Sequence, residues 1–214
     1  MQQFILDSDL AILACIKSLC VERYQIESTT QGDPHSLRFT FEFNKNEHFE
    51  DATLVKEFQC QTTHRGSGGL VSTPVPIRWK SKKTDATGGL LKAAVELYQA
   101  EETLRLENAD IAIDPVERES LWQYVALQEK LDATSDQQPS FFNWFGYRGA
   151  VLGATEVTNK EQAQNGDVDD SDEEEHDGDQ NLDVEIFPGG DQVARILAED
   201  LWPNVMDYFS KSGI

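Results

Sequence analysis

The residues with the most chemical potential in this chain are carboxylates. From Asp167 to Asp179 the sequence reads DVDDSDEEEHDGD, nine acids in thirteen residues, and Asp183 and Glu185 extend the run to eleven without a Lys or Arg. Carboxylates at this density can hold a hard cation, share a proton in acid–base catalysis, or attract a cationic partner. A calcium loop of the EF-hand kind needs D-x-[DN]-x-[DN]-G and a Glu at position twelve, flanked by helices. Asp167-x-Asp169-Asp170 has neither that glycine nor the flanking helical pattern. Glycosidase-type chemistry needs one specified buried pair, and nothing in the spacing singles one out. What remains is a polyanion that imitates nucleic acid and draws in a highly basic protein by long-range, salt-screened attraction. A merely solvating segment is the alternative reading of such a run. Ser171, followed by Asp172, Glu173 and Glu174, also fits an acidophilic kinase of the casein kinase type. A phosphate there would add roughly −1.5 to −2 charge.

The rest of the chain is acidic too. There are 39 acidic side chains against 18 Lys plus Arg in 214 residues, a formal charge of −21. Removing the eleven acids of residues 167–185 leaves −10 on the other 195. Direct nucleic-acid binding as the main activity is excluded, because a phosphate backbone needs a basic face. Arg78, Lys80, Lys82 and Lys83 form the one basic cluster. It reads first as a strand edge blunted by charge, then as a nuclear-import signal, and only last as a DNA contact. No P-loop, no GxGxxG after a strand, no GxSxG, no HExxH and no Cys/His pairing occurs, so no enzyme and no cofactor is expected. The Gly66-Ser67-Gly68-Gly69 cluster, without a following Lys-Ser/Thr, reads as a hairpin loop. Cys15, Cys20 and Cys60 are odd in number and have no CxxC spacing, which fits an intracellular chain without a disulfide framework or zinc site. His35, His48, His64 and His176 are scattered and read as surface histidines. No apolar run approaches the ~20 residues that cross a bilayer, and residues 1–6 lack the basic start of a signal peptide.

These groups must be positioned by a core of modest size, since 39% of the residues are hydrophobic and 9% aromatic. Leu10, Leu13, Ile16 and Leu19 stand at helical spacing and predict a helix over residues 8–19, capped by Asp7 or Ser8. Four extended segments follow. Residues 21–29 are one. Residues 35–43 place Leu37, Phe39, Phe41 and Phe43 on one face and Arg38, Thr40 and Glu42 on the other, a clean period of two. Residues 53–61 and 75–80 complete the set, and Gly/Pro/Asn-rich connections make an antiparallel meander the economical topology. From Leu90 the period turns helical. One helix is expected over 90–108 and a second from Asp114-Pro115 to about Leu131, with proline suited to its first turn. The aromatic block SFFNWF, Ser140–Phe145, follows Pro139. Residues 146–182 read as a disordered acidic loop, and Asp191 as the cap of a last helix interrupted by Pro203. Phe141, Phe142, Trp144, Phe145 and Trp202 are assigned to the core. Strands followed by helices predict an α+β fold. The domain reading is a core over 1–145 with strands about 21–80 and helices about 90–145, the loop 146–182, and residues 183–214 as a helical part of the same domain.

Four blocks along the chain resemble one family. Asn46-Glu47-His48-Phe49-Glu50-Asp51 followed by Leu54-Val55-Lys56-Glu57-Phe58 resembles the turn and strand NPYF-x-N…L-x-KEF. Ile77-Arg78-Trp79-Lys80 resembles I-x-WK. Ser140–Phe145 resembles SFF-x-[WF]F, and Glu199-Asp200-Leu201-Trp202-Pro203-Asn204 resembles [DE]D[IL]WPN. In this order they are similar to the nucleosome assembly protein (NAP) family, closest to its SET-like branch in fungal-like form. The resemblance implies a histone chaperone with an "earmuff" domain, a four-stranded antiparallel sheet packed against helices whose acidic underside receives core histones. It implies nucleosome assembly and disassembly, a nuclear protein that shuttles with the cytoplasm, no ATP or metal, and a homodimer. The long dimerisation helix of the family is not seen ahead of residue 8, which leaves the dimer open, and the family's longest acid tract often lies at the C-terminus rather than before the last helix. On this basis the folded-face histone contacts are Glu47, Glu50 and Asp51 in the hairpin loop and Glu199, Asp200 and Asp207 near the last helix. Asp169, Asp170, Asp172, Glu173, Glu174, Glu175 and Asp177 supply additive attraction from the acidic loop. The alternative is a regulatory or scaffold subunit that modulates a phosphatase or a histone-modifying enzyme. What the stretch 90–132 packs on is not legible.

Overall fold

A computed structural model describes residues 4–24, 35–62, 68–107, 113–149 and 184–211. Helix α1 (Asp7–Leu13) leads into strand β1 (Ile16–Glu22), followed by β2 (Leu37–Phe43), β3 (Thr53–Thr62) and β4 (Gly68–Ser72). The four strands form one antiparallel sheet in the order β1-β2-β3-β4, the predicted meander. The period of two in β2 and β3 points Leu37, Phe39, Phe41, Phe43, Leu54 and Phe58 inward, where all are buried.

The first and last strands lie elsewhere than expected. Ile16 and Leu19 read as helical because they are three apart, but a bulge between Ile16 and Ser18 produces the same spacing in a strand. Both side chains therefore pack toward β2, opposite Phe43 and Phe41. The helix ends instead at Leu13, with Ala14 as its C-cap. Most of the predicted first strand, residues 25–29, lies outside the described residues. The fourth strand comes from the glycine cluster that reads as a loop: Leu70 pairs with Cys60 and Ser72 with Phe58. Residues 75–80 form no ladder. Pro74 and Pro76 remove two donors that a ladder requires, and the segment makes a single bridge, Trp79 to Phe49.

Beneath the sheet lies the SFFNWF block as a 3-10 turn over Phe141–Gly146, with Phe142, Trp144 and Phe145 wholly buried. Trp144 meets Phe39 edge-on at 5.3 Å, lies 5.3 Å from Phe58, and donates its indole N–H to Gly190 O at 2.8 Å. Helix α2 (Leu90–Glu107) covers the other side of this block with Leu90, Leu91, Ala94 and Leu97, and carries α4 (Trp122–Thr134) on its back. So the stretch 90–132 packs partly on the core and partly on itself. The predicted second helix is two. Asp114 caps α3 (Pro115–Glu119) by accepting from Val116 N at 2.8 Å, and the chain then breaks at Leu121. Leu121 takes an extended conformation and packs on the core, which a continuous helix would not allow.

The C-terminal part joins this same core. Gly189, at φ +81°, is the N-cap of α5 (Gly190–Arg195), and Asp191 stands in the first turn rather than capping it. A π-turn over Ile196–Leu201 and helix α6 (Val205–Lys211) follow. Pro203 has no N–H to donate, and the wide turn immediately before it absorbs the mismatch. Trp202 is not core: it is 40% exposed. Residues 146–149 are packed rather than part of a loop, with Gly146 and Tyr147 buried.

Candidate functional site

The hairpin acids sit on a rigid turn. Asn46 Oδ1 accepts from the amides of His48 (2.9 Å) and Phe49 (3.0 Å), and the buried Phe49 ring fixes the turn against Phe43 at 4.9 Å. Glu47 and Glu50 are exposed. Asp51 is engaged: its carboxylate accepts from the Arg78 amide and guanidinium, each at 2.7 Å, and holds the Arg78 pKa above its ordinary value. Lys80 Nζ donates to Asn46 O, and Lys45 and Lys80 line the same shallow depression as Glu50 and Asp51. Glu50 and Asp51 thus share this turn with Lys45, Arg78 and Lys80, and Arg78 and Lys80 of the basic cluster close the loop instead of blunting a strand edge.

The second group lies on the last turns. Glu199 pairs with Arg23 at 3.8 Å, with both side chains largely exposed. Asp200 accepts from the Tyr208 hydroxyl at 3.0 Å and from Asn204 Nδ2, a bond that raises the Tyr208 pKa. Asp200, Asn204, Asp207 and Tyr208 line one depression. Among the described residues that line the depression with Asp200 and Asp207 there is no basic side chain.

The fold does not bring the two groups together. Arg23 follows Glu22, which pairs with Arg38, whereas the hairpin follows Phe43 at the other end of β2. At about 3.3 Å per residue the ends of that strand stand roughly 15–20 Å apart. The solvent face of the sheet between them is charge-paired: Lys17 to Glu42 at 3.3 Å, and Arg38 to Glu57 at 2.6 Å. Bonds from Ser18 and Lys17 hold the Glu42 carboxyl below its ordinary pKa. Overall, 24 of the acids and 16 of the basic side chains belong to described residues, leaving −8 on them. The acid run with Asp169, Asp170, Asp172, Glu173, Glu174, Glu175 and Asp177, and Ser171 within it, lies outside the described residues.

The base of that segment is described, and it is built from buried ions. Glu185, which the sequence reading counts with the acid run, is only 8% exposed. It accepts from the amides of Arg148 (3.0 Å), Gly149 (3.3 Å) and Phe187 (3.1 Å), and burial raises its pKa. The chain therefore leaves at Gly149 and returns at Glu185 in hydrogen-bond contact. Gly149 is required there: its φ is +74°, and a Cβ would stand 2.5 Å from Leu70 O. Lys56 supports the same segment from the sheet side. Wholly buried, it donates to Thr73 O (2.8 Å), Phe145 O (3.0 Å) and Tyr147 O (2.8 Å). Burial pushes its pKa well below the ordinary lysine value, partly countered by the charge of Glu185.

Two further buried ions were missed in sequence. Asp9 accepts from Ser140 Oγ (2.6 Å), Phe141 N and Leu6 N (2.9 Å each), tying α1 to the aromatic block. Glu101 on α2 holds Arg118 and Arg148, each at 2.6 Å. Lys56 had a signal, because Leu54-x-Lys56-x-Phe58 puts it on the inward face by period alone. Asp9 and Glu101 had none, since Ser140 and Phe141, and Arg118 and Arg148, are remote from them in the chain. Among the described residues no group of three or more His, Cys, Asp or Glu could hold a metal ion, and no helix is long and apolar enough to cross a membrane.

The family model described as Nucleosome assembly protein (NAP) matches residues 1–212. Among solved structures, the crystal structure of Vps75 superposes on 100% of this chain and 72% of its own, at 19% identity and a TM-score of 0.55. A second, of the Vps75 histone chaperone, covers 99% and 71% at 19% identity and 0.49. The crystal structure of Ccp1 covers 98% and 67% at 20% identity and 0.48. No curated protein matches the chain in sequence.

Proposed function

The chain belongs to the nucleosome assembly protein (NAP) family, and from that premise we propose that it is a histone chaperone that binds core histones through acidic surfaces and assists nucleosome assembly and disassembly. The observation that carries this reading is the charge: −21 overall, with an excess of eight acids on the described fold itself. A solvating tail alone would not require an acidic fold. The work is done by neutralisation. Basic histone faces are drawn in over about one Debye length, about 8 Å at physiological salt, and are held off nonspecific DNA until deposition. No group transfer and no nucleotide enter this mechanism.

Two acidic sources divide the task. The run from Asp169 to Asp177 supplies additive attraction from a segment tethered at Gly149 and Glu185. On the fold, Glu199, Asp200 and Asp207 form one contact group near the last helix. Glu47 and Glu50 contribute at the far end of the sheet, and Asp51 there serves chiefly to hold Arg78. Residues 1–149 and 184–214 make up one domain in this reading, with the acidic stretch between them carried as an insert. The place of action is the nucleus.

The test is a fluorescence titration with purified core histone pairs at roughly 0.15 and 0.5 M salt, beside a variant lacking residues 167–179. We expect submicromolar binding at the lower salt that weakens at least about tenfold at the higher, and is reduced but not abolished by the deletion. No binding by either form would refute the proposal.

A further inference from the structure

We propose that Ser81 is a phosphorylation site for a serine/threonine kinase that reads the two lysines after it, and that the phosphate offsets the positive charge at this end of the hairpin. Ser81 stands within Arg78-Trp79-Lys80-Ser81-Lys82-Lys83, the basic cluster of an otherwise acidic chain. The fold uses only the first half of that cluster. Glu50 N donates to Arg78 O at 3.0 Å and Lys80 N to His48 O at 2.9 Å, on either side of the Phe49–Trp79 bridge. The Arg78 guanidinium is held by Asp51, and Lys80 Nζ donates to Asn46 O. Ser81 emerges one residue beyond this pairing, and Ser81, Lys82 and Lys83 are all exposed.

A kinase cleft must reach the serine hydroxyl, so the local structure has to open. Among the described residues, the hydrogen bonds of residues 81–84 run only between Ser81 and Thr84. Opening that turn therefore breaks no hydrogen bond to another element, which places it at the low end of local stability. The Ser81 hydroxyl makes only long contacts, 3.2 Å to Thr84 Oγ1 and 3.3 Å from Thr84 N. Thr84, the other hydroxyl close to these lysines, is half-buried and donates to Ser81 O at 3.0 Å. Because Arg78 and Lys80 are engaged by the hairpin, Lys82 and Lys83 are the cations that an acidic kinase cleft can pair with. In the reaction Ser81 Oγ attacks the γ-phosphorus of a nucleoside triphosphate held by the kinase. The bond from that phosphorus to the bridging oxygen breaks, the nucleoside diphosphate leaves, and the hydroxyl proton passes to the kinase's base.

Lys80, Lys82 and Lys83 lie within two residues of Ser81, so their α-carbons are at most about 7.6 Å from its own. That is inside one Debye length, about 8 Å at physiological salt. A phosphate of roughly −1.5 to −2 charge offsets more than half of their +3. The hairpin with exposed Glu47 and Glu50 then no longer ends in a cationic surplus that repels a basic partner. This second half of the proposal rests on the chaperone reading; the modification site itself does not.

The full chain is incubated with ATP, magnesium and the catalytic domain of a basophilic serine/threonine kinase that accepts Ser-x-Lys substrates. Phosphate is located by mass spectrometry on the wild-type chain and on the Ser81→Ala, Thr84→Ala, Arg78→Gln and Lys82→Ala/Lys83→Ala variants, with circular dichroism as the check of fold. Phosphate is expected on Ser81, at a rate that falls roughly tenfold in the double-lysine variant for the loss of two ion pairs with the kinase. Arg78→Gln and Thr84→Ala should stay within about threefold of wild type. Phosphate on Thr84 instead, or none on the folded chain, overturns the site. A loss in Arg78→Gln without one in the double-lysine variant overturns the assignment of Lys82 and Lys83. Core histone pairs are then titrated with the Ser81-phosphorylated and unmodified chains at roughly 0.15 M salt, and the phosphorylated form should bind about two- to fivefold more tightly. If the unmodified chain binds and the phosphate leaves affinity unchanged or lower, the role assigned to the charge is refuted. If neither form binds histones, the chaperone reading falls, and the mass spectra still decide the site.

Discussion

Lys56→Met should be among the most destabilising single changes in this protein. Methionine keeps most of the apolar stem and fills the same buried space, so the loss is that of the ammonium. Of its three acceptors, Phe145 O retains the Val75 amide at 2.8 Å. Thr73 O keeps only a 3.4 Å contact from the Ser72 hydroxyl, and Tyr147 O loses its lysine donor. Each carbonyl stripped of its donor costs about 1–3 kcal/mol. Glu185 also loses its nearby opposite charge, although its three amide donors remain. Removing one member of such a buried arrangement costs about 3–5 kcal/mol. With a urea m-value of about 2–3 kcal/mol/M, the unfolding midpoint should fall by roughly 1–2 M at unchanged m. The Lys56→Met/Glu185→Gln double variant should be less destabilised than the sum of the singles, by about 0.5–3 kcal/mol. A Lys56→Met midpoint within about 0.3 M of wild type would refute the assignment of Lys56 as the strut beneath the base of the acidic segment.

Asp9→Ala strips the acceptors from Ser140 Oγ, Phe141 N and Leu6 N; differential scanning calorimetry should show a Tm lower by roughly 5–12 °C, for about 2–4 kcal/mol. Glu101 gives a pH signature. Burial alone would raise its pKa, but Arg148 and Arg118 outweigh burial and hold it below the ordinary 4.5. Its stabilisation is therefore present above about pH 4.5 and lost as pH falls through the lower folded value. Urea midpoints across pH 3–7 should show Glu101→Gln losing most at neutrality and least in acid; parallel profiles would count against it. Gly149→Ala should cost about 2 kcal/mol or more, because left-handed strain adds to the approach of Leu70 O. Hydrogen exchange should then show weakened protection at Arg148 and Phe187.

Much of the architecture is legible along the chain because it follows local periods. The alternation in β2 and β3 predicts two central strands and their inward faces, and Asp114-Pro115 marks the start of α3. The glycine cluster and the two prolines near residue 75 were misread because a strand was sought by apolar content. In fact the ladder required an unbroken row of N–H groups, which GGLVS has and TPVPI, with its two prolines, lacks. The helix expected over 8–19 failed because a β-bulge gives Ile16 and Leu19 the spacing of a helical face.

The candidate site divides in the same way. That the chain is a polyanion, with acids at Glu47, Glu50, Asp51, Glu199, Asp200 and Asp207, is a property of composition and needs no fold. Which acids are engaged is not: Asp51 is taken by Arg78, 27 positions away, and Glu185 beyond the acid run is buried, with two of its three amide donors 36 and 37 positions away. The exposure of Trp202 is likewise tertiary. A helical apolar pattern does not distinguish a residue turned to the core from one left exposed: Leu201 packs on the core, while Trp202 next to it is 40% exposed. Charge and period belong to the sequence, since each is carried by neighbouring residues. The pairing of ions and the direction of a face belong to the fold, since each depends on what distant segments bring alongside.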